Sequence, residues 1–585
     1  MIIESKSKLA GAVLTLVFSL AFLGFSIKTY IEEVNSPNQL AAVGAIETSF
    51  PLGINLSPHK DYTPVWPFIN AMKQSREWII GPLWGWETPG ATMPLRADGY
   101  PLEVPYGGNI VRTLMFRELP YRYPAGTYTL SFEGSGEVFL GLDGGNKSYS
   151  VAGSYQFSPT PTEQGIMLEI RRSDSSNPIR NIKILMPGYT SDSGIFTTEF
   201  LNSLVGFKAV RFMDWMMTNS QELSRWSERT PKNYYTQTGM RGVAYEYMIE
   251  LANRLNADIW VNIPHKADDD YVQQFATLLK NELNADRQIY IEYTNERWNY
   301  SPGFSQTQYV TDQGAILYPN DDMNHQNWKY YAKRSVEIFK IFQTVFGSGS
   351  RLVNVIGTNA DFTLQSDWLL KYAKSAEFNP TGVKIDALAT APYFGHGPVS
   401  TSLDALFNEL SGLISGNEIY DRTKRSKAVA DAYGARLIAY EGGQHLRDAS
   451  REALFKAANR DPRMEGLYDS LFSIWDTESG GGLFMAFNHI DKYDSAGFWG
   501  MKEYLDDNNN PKFLSIIKHL ASDATTTPPI EPDPCSDCPC ESCPTCPTCP
   551  TICPSIVYCP TVKLVKAPEC PQGLLRCYKC APVSF

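Results

Sequence analysis

Two glutamates, Glu296 and Glu441, each lie just past a short apolar segment that has the composition of a buried strand. The segments are Ile289–Tyr293 for Glu296 and Ala435–Tyr440 for Glu441. Side chains at the carboxyl ends of parallel barrel strands converge on one mouth of the barrel. Two carboxyl groups on opposite sides of such a mouth can break a glycosidic bond. One protonates the leaving oxygen, and the other stabilises or attacks the oxocarbenium-like centre.

The other predicted strand ends carry polar or aromatic side chains that could bind a sugar or orient the two carboxylates. In chain order these residues are Asn55, Arg211, Asp214, Asn262, His265, Asn295, Tyr393, His396, His489 and Trp499. No group of His, Asp and Glu residues has a spacing typical of a metal site, and no serine-nucleophile elbow is present. The sequence therefore predicts no metal and no cofactor.

The segments that must position these residues alternate between strands and helices after Gly188. Apolar runs predict strands, and apolar residues at helical spacing predict the helices between them. The eight strand candidates are Leu52–Leu56, Ala209–Phe212, Asp258–Ile263, Ile289–Tyr293, Leu352–Ile356, Ala387–Ala391, Ala435–Tyr440 and Leu483–Phe487. Eight such units predict an α/β fold, a (β/α)8 TIM barrel, with a doubly wound open sheet as the alternative.

One stretch interrupts this rhythm. Residues 46–92 are predicted to hold the first unit of the barrel, with a helical stretch at Pro67–Trp78, and residues 188–522 the remainder. Between them, residues 93–187 contain short alternating segments divided by Gly, Asp, Ser and Pro. This spacing predicts an antiparallel β-sandwich inserted into the barrel, which would bind carbohydrate or pack against it.

Two motifs resemble those of clan GH-A, the retaining (β/α)8-barrel glycoside hydrolases. Residues 289–299 (IYIEYTNERWN) resemble the clan's fourth-strand motif, and residues 439–444 (AYEGGQ) resemble its seventh-strand motif. The chain is also similar to a secreted subgroup with an E-Y-x-N-E-x-W-N signature. It departs from the clan where Arg297 and Trp298 follow Glu296 in place of the common proline, which leaves the sugar open.

This resemblance implies a role for each predicted site residue. Glu296 would be the general acid/base and Glu441 the nucleophile. The remaining predicted site residues would contact the sugar or orient the nucleophile: Asn295 at the sugar 2-hydroxyl, Arg211 and Tyr393 beside Glu441, Trp499 as an aromatic platform, and His265 and His489 as weaker matches. Glu296 should then have a raised pKa and Glu441 should stay ionised. A retaining enzyme needs the two carboxyl groups about 5–5.5 Å apart.

The two ends of the chain indicate an exported protein. An apolar run, Leu9–Ile27, is flanked by lysines, so residues 1–28 are predicted to be a signal anchor or signal peptide, followed by a spacer at 29–45. All eleven cysteines lie between Cys535 and Cys580. Residues 523–534 would be a linker and residues 535–585 a Cys/Pro-rich tail held by disulfides, with zinc as a weaker alternative.

Charge and cysteine count limit the kinds of molecule that this protein is expected to bind. The net charge is −11 and no long basic run occurs, which argues against nucleic acid. Eleven is an odd number, so at least one thiol is free or pairs with another chain, and disulfide-linked self-association through the tail is possible. The protein would be membrane-anchored at a cell or particle surface, or secreted.

Three functions remain open at this point. The first is a retaining glycoside hydrolase acting on a β-linked polysaccharide outside the cytoplasm. The second is a non-catalytic carbohydrate-binding or structural surface protein that keeps the barrel. The third is an enzyme of another class on the same barrel, such as a transglycosylase.

Overall fold

The computed structural model describes residues 50–119, 121–347 and 351–522, together with the backbone of Val562–Lys566 and Tyr578–Pro582. Two units are distinguished, one on each side of the Pro529–Ile530 peptide. None of the helices in these ranges is both long and apolar enough to cross a bilayer. The predicted segment at Leu9–Ile27 lies outside the described residues, as do the spacer and the linker.

Eight parallel strands close into a barrel. They are β1 (Leu52–Asn55), β10 (Ala209–Arg211), β11 (Asp258–Ile263), β12 (Ile289–Tyr293), β13 (Leu352–Gly357), β14 (Ala387–Thr390), β16 (Arg436–Ala439) and β18 (Phe484–Ala486). Each strand pairs with its neighbours in chain order, and β18 pairs with β1 to complete the circle. The eight predicted strands and the TIM barrel are therefore confirmed, and the alternative of an open sheet is wrong.

Alternation along the strands divides the apolar residues between two buried clusters. In β12, Ile289, Ile291 and Tyr293 pack in the large cluster that includes the helices. Tyr290, between them, belongs to a separate cluster contributed almost entirely by strand residues. The members of this barrel-interior cluster are Ala209, Trp260, Tyr290, Val353, Val355, Ala387, Ala389, Ile438, Tyr440, Leu483 and Met485.

Helices connect most of the barrel strands. In chain order they are Thr198–Asn202, Tyr245–Leu255, Asp269–Glu282, Ser305–Leu317, Met323–Phe346, Thr363–Lys374, Leu403–Ser415, Tyr420–Ala432, Glu452–Arg460, Arg463–Ser479 and Pro511–Ser522. Side-chain caps fix several starts. The Asp268 carboxylate accepts from the Tyr271 N–H at 2.7 Å, and Asp322 caps Met323–Phe346 in the same way.

The predicted helical stretch at Pro67–Trp78 is reduced to one short 3-10 turn, Ala71–Gln74. Asn70 caps this turn, and Ser75 at its end is already extended. The chain then enters strand β2 (Ile79–Pro82), which pairs with β3 (Asn109–Met115) in the inserted region. The inserted sheets therefore include residues from the segment predicted to belong to the first barrel unit.

The inserted region consists of antiparallel strands. Besides β2 and β3 these are β4 (Tyr128–Glu133), β5 (Gly136–Leu142), β6 (Lys147–Tyr149), β7 (Gly153–Phe157), β8 (Ile166–Ser173) and β9 (Arg180–Leu185). They form a five-stranded sheet in the order β2-β3-β8-β5-β6 and a three-stranded sheet in the order β7-β4-β9. The antiparallel strands agree with the sequence pattern, whereas the sandwich arrangement stays a prediction.

Two further pairs of strands are short. Strands β15 (Tyr393–Phe394) and β17 (Gly443–Gln444) pair in parallel just past the carboxyl ends of β14 and β16. In the tail, Val562–Lys566 and Tyr578–Pro582 pair antiparallel. The predicted disulfides of the tail fall outside the residues whose side chains are described.

Candidate active site

The mouth of the barrel is lined by a polar layer that follows the apolar barrel interior. Asn55, Arg211, Asn262 and Glu292 each lie near the carboxyl end of a barrel strand, and all four are at most 1% exposed. In β10, β11 and β12 they lie two residues past the cluster members Ala209, Trp260 and Tyr290, so they face the same side of their strands. Buried polar groups must be paired, and this layer is bonded internally.

Arg211 joins the layer to the predicted catalytic residues. Its Nη1 donates to Asn55 Oδ1 at 3.0 Å and to Glu441 Oε2 at 3.2 Å. Its Nη2 donates to Glu292 Oε2 and to Asn295 Oδ1, both at 2.9 Å. One fully buried guanidinium therefore fixes four side chains, which come from three strands (β1, β12 and β16) or from the residues just past them. This contact with Glu441 is the one predicted from the sequence.

Glu292 accepts three hydrogen bonds on one carboxylate oxygen. Besides Arg211, Trp260 Nε1 donates to its Oε2 at 2.9 Å and Asn262 Nδ2 at 2.8 Å. The other oxygen lies against Gly357, where an added Cβ would come within 2.9 Å of it. A glycine is required there because any side chain would push Glu292 away from Arg211. Glu292 therefore positions Arg211 and neutralises part of its positive charge.

The chain between β12 and Glu296 has an unusual backbone. Thr294 and Glu296 have φ angles of 54° and 37°, in the left-handed region that β-branched and bulky residues rarely adopt. Surrounding amides hold this segment: Asn262 Nδ2 donates to the Thr294 carbonyl, and Gln306 Nε2 donates to the Asn295 carbonyl, both at 2.9 Å. A strained backbone of this kind persists where many surrounding contacts hold it in place, and such residues cluster at active sites.

Two hydrogen bonds orient the Glu296 carboxyl group. Tyr440 donates from its hydroxyl to Oε1 at 2.9 Å, and Asn299 Nδ2 donates to Oε2 at 2.9 Å. Burial and the charges of the two glutamates raise the pKa of Tyr440 well above its usual value, so its proton stays available to donate. Glu296 itself is partly exposed, so a substrate can reach it.

The Glu441 carboxyl group is more deeply buried. Tyr393 donates to its Oε1 at 3.1 Å, opposite the contact with Arg211. Burial and the charge of Glu296 raise the pKa of Glu441 to about 8, although Arg211 opposes the shift. This differs from the expectation that Glu441 is ionised at neutral pH. The charge of Glu296 is one cause of this shift, so the two carboxyl groups interact.

Aromatic side chains lie beside Tyr393, where Trp499 was predicted to be a platform. The ring of Trp499 lies edge-on to Phe487, 6.1 Å between centroids, and to His445 at 5.8 Å. Both of these rings in turn contact Tyr393, at 6.3 Å and 5.3 Å. The buried Nε1 of Trp499 has no hydrogen-bond partner among the described residues.

The rings of His265 and His489, the two weaker predictions, make their contacts with other residues than the two glutamates. His265 packs edge-on against Tyr309 at 5.1 Å, and its buried ring nitrogens make no hydrogen bond within the described residues. His489 is bonded to Ser203 at 2.9 Å and packs against Phe200 at 5.8 Å. Contacts with helix Thr198–Asn202 and its C-cap favour a structural role for His489.

Three residues of the site were not assigned roles from the sequence: Glu292, Tyr440 and Asn299. The signal for Glu292 is a charged residue inside an otherwise apolar strand, which is costly to bury unless it is paired. Tyr440 and Asn299 carried no comparable signal. In the described ranges, no group of three or more His, Cys, Asp and Glu side chains is arranged to hold a metal ion.

No protein-family model and no curated protein matches the chain. Among solved structures, it is similar to a GH10 endoxylanase retrieved from sugarcane soil metagenome, with 11% identity, a TM-score of 0.34, and coverage of 55% of this chain and 91% of that one. Native xylanase10C from Cellvibrio japonicus has 10% identity, a TM-score of 0.32, and coverage of 76% and 98%. A β-glucosidase from Thermotoga maritima has 13% identity, a TM-score of 0.33, and coverage of 55% and 85%. The barrel fold of this chain is established by the pairing of its own eight strands and does not depend on these similarities.

Proposed function

We propose that this protein is a retaining glycoside hydrolase that acts on a β-linked polysaccharide outside the cytoplasm. The observation that carries the proposal is that Tyr440, the residue immediately before Glu441, donates a hydrogen bond to Glu296 at 2.9 Å and so brings the two glutamates to one barrel mouth. Each carboxyl group is held by its own tyrosine, Tyr440 or Tyr393, and Arg211 binds the more buried one. A carboxyl pair with unequal surroundings divides the roles of acid and nucleophile.

The catalytic cycle follows from these contacts. Glu296, the more exposed of the pair, protonates the glycosidic oxygen while Glu441 attacks the anomeric carbon, and the C–O bond to the leaving sugar breaks. Water, deprotonated by Glu296, then cleaves the glycosyl ester and restores both carboxyl groups. Arg211 and Tyr393 stabilise Glu441 as its charge returns. The first step requires a proton on Glu296 and an ionised Glu441.

The proposal is tested by incubating the full chain with β-glucans, mannans, xylans and galactans. We expect release of reducing ends from at least one polymer, and loss of about 1,000-fold or more in Glu296→Gln and Glu441→Gln variants. The exposed helix residue Glu282 provides a matched control, since Glu282→Gln should leave the rate unchanged. Activity that survives Glu296→Gln or Glu441→Gln defeats the role of that residue.

The stereochemistry of the product tests whether the reaction retains the anomeric configuration. Proton NMR of the first product should show the anomeric configuration of the substrate, because two displacements restore it. Inverted product would mean that Glu441 activates water and does not attack the sugar.

One observation favours the second candidate, a non-catalytic carbohydrate-binding protein. Burial raises the pKa of Glu441 to about 8, which favours the protonated form of the predicted nucleophile at neutral pH. A binding protein would use that neutral carboxyl group only to hydrogen-bond a sugar. Glycan binding without turnover over pH 5–9, unchanged in Glu441→Gln, would support this candidate.

The location is proposed from the sequence alone. The apolar run Leu9–Ile27 and the confinement of the cysteines to the tail both favour export. The tail would attach the protein to a surface or to a second copy through disulfides. Non-reducing electrophoresis of the secreted chain tests this, because a disulfide-linked species should collapse to monomer on reduction.

A further inference from the structure

A pocket of about 220 Å³ is lined by the two residues that follow Glu296 in the chain, Arg297 and Trp298, among others. Its wall is otherwise aromatic and amide, and two of its members, Tyr300 and Phe362, are 58% and 44% exposed. The ring of Trp298 lies edge-on to Tyr440, with centroids 6.2 Å apart. Because Tyr440 also donates to Glu296, one residue contacts both the wall of this pocket and the proposed catalytic pair.

Arg297 is a buried cation without a counterion. Its side chain is 1% exposed, and no carboxylate of the described residues forms an ion pair with it. Nη1 donates to Asn327 Oδ1 at 3.1 Å, whereas Nε and Nη2 have no hydrogen-bond partner in the same ranges. The rings of Trp298 and Tyr331 lie 5.2 Å and 4.8 Å from the guanidinium and supply only partial compensation.

Burial of this charge has a measurable cost. It lowers the pKa of Arg297 to about 10, and the groups that oppose this shift are tyrosines, not carboxylates. A buried, uncompensated charge destabilises a folded protein unless a partner is supplied. Selection for folding alone would favour an apolar side chain at this position, so the arginine points to a ligand.

The free edge of Arg297 has the geometry of a carboxylate receptor. Nε and Nη2 together form the edge from which an arginine donates two hydrogen bonds to a carboxylate, either one to each oxygen or both to the same oxygen. Other arginines of this chain use the same edge. Arg460 donates from Nε and Nη2 to Glu503 at 2.9 Å and 2.7 Å, and Arg76 does so to Asp61 at the same two distances.

We propose that this pocket binds the carboxylate of an acidic sugar, so that the substrate is a β-linked polysaccharide containing uronic acid. The inference rests on the proposed function for the cleavage of that polymer, but not for its binding. Arg297 receives the carboxylate, and the exposed Tyr300 and Phe362 offer faces for the sugar ring. Since Nε and Nη2 are shielded from water, pocket side chains must shift when the ligand enters, as interface rotamers commonly do.

The test compares oligosaccharides that differ only at C6, where a uronate carries a carboxylate and a hexose a hydroxymethyl group. The full chain with Glu441→Gln is titrated calorimetrically with β-1,4-glucuronate and cello-oligosaccharides of equal length. The matched pair of β-1,4-mannuronate and manno-oligosaccharides is titrated in the same way. We expect at least one uronate series to bind roughly 10-fold tighter or more than its neutral counterpart.

Arg297→Met, added to the same chain, keeps the length of the side chain and removes its charge. The uronate preference should fall to within about twofold, while Tm should rise because an unpaired buried charge is gone. Arg425→Met, on the exposed face of helix Tyr420–Ala432, removes an equal charge and should leave the preference intact. The rise in Tm separates loss of the ligand from loss of the fold.

Equal binding of acidic and neutral oligosaccharides, or a preference that survives Arg297→Met, overturns the inference. So does a preference for free sulfate over uronate that depends on Arg297, because the pocket would then select a tetrahedral anion. If uronate binding depends on Arg297 but no polymer is cleaved, the inference stands and the hydrolase proposal fails. If neutral polymers are cleaved with no uronate preference, the hydrolase proposal stands and this inference fails.

Discussion

The hydroxyl of Tyr440 donates a hydrogen bond to Oε1 of Glu296 at 2.9 Å, and this bond links the seventh barrel strand to the fourth. Tyr440 immediately precedes Glu441, so the two proposed catalytic groups are connected through one residue. Tyr440 also lies beneath Arg211, with its ring 5.1 Å from the guanidinium. A change at Tyr440 therefore acts on Glu296 directly, and on Glu441 through the backbone and the arginine.

Tyr440→Phe should lower kcat/KM roughly 10- to 100-fold, the equivalent of a hydrogen bond to a charged group worth about 1.5–3 kcal/mol. The ring and its packing are kept, so Tm should change little. Tyr290→Phe is the control, because Tyr290 lies in the same interior cluster but, among the described residues, its hydroxyl donates to Gln288 and not to a glutamate. Equal rates for Tyr440→Phe and the parent would show that Glu296 needs no partner from the seventh strand.

The pH dependence of kcat/KM should have an alkaline limb near pH 8. The coupled carboxyl pair must hold one proton for the first step, and burial raises the pKa at which Glu441 releases it to about 8. Above that pH both groups are ionised and no acid remains to protonate the leaving oxygen. An alkaline limb two or more units away from pH 8, measured with a substrate that does not itself titrate, would contradict this assignment.

The barrel could be predicted from the sequence because its strands are buried on both faces. Segments such as Asp258–Ile263 and Ile289–Tyr293 are short apolar runs separated by amphipathic helices, and this pattern has few other solutions. The first unit could not be predicted in the same way. Pro67–Trp78 has helical spacing, but the chain must reach Ile79 in an extended form to pair with Asn109–Met115, and this tertiary pairing overrides local preference.

The site could be predicted only where a residue type implies its own chemistry. Glu296 and Glu441 are such residues, and Arg211 and Tyr393 lie beside Glu441 as the resemblance to clan GH-A implies. The role of Glu292 depends on donors from two other strands, which no single segment reveals. His489 follows a strand end like the others, yet its ring is bonded to Ser203. Position along the chain does not fix the direction of a side chain past the end of a strand.

Glu292→Gln should move the alkaline limb below pH 8 and lower kcat. Removing a negative charge from the Nη2 side of Arg211 leaves more of the positive charge acting on Glu441, so the pKa of Glu441 falls. Tm should also fall, because a buried ion pair loses one partner. The measurement is the pH–rate profile together with thermal unfolding.

Glu169→Gln serves as the matched control for Glu292→Gln. Glu169 is a buried glutamate in the inserted region, paired with Arg112 at 3.0 Å, so its loss should lower Tm by a similar amount. It lies in a different sheet and should leave the alkaline limb in place. A limb that moves equally in both variants would mean that loss of stability, and not the charge near Arg211, causes the shift.

Glu441→Gln should stabilise the protein increasingly as the pH rises from about 5 to 9. The pKa of Glu441 is raised by folding from its ordinary value to about 8, so the folded state binds this proton more tightly than the unfolded state does. Its contribution to stability is then fully present below about pH 4.5 and is lost as the pH rises through about 8. Glutamine resembles the protonated form at every pH, so the Tm difference between variant and parent should be small at pH 5 and several degrees at pH 9. Groups far from Glu441 titrate alike in both proteins and cancel in the difference, and the exposed Glu282→Gln should show no such trend. A difference that is constant with pH would mean that Glu441 is already ionised in the folded protein at pH 5, and that burial does not raise its pKa.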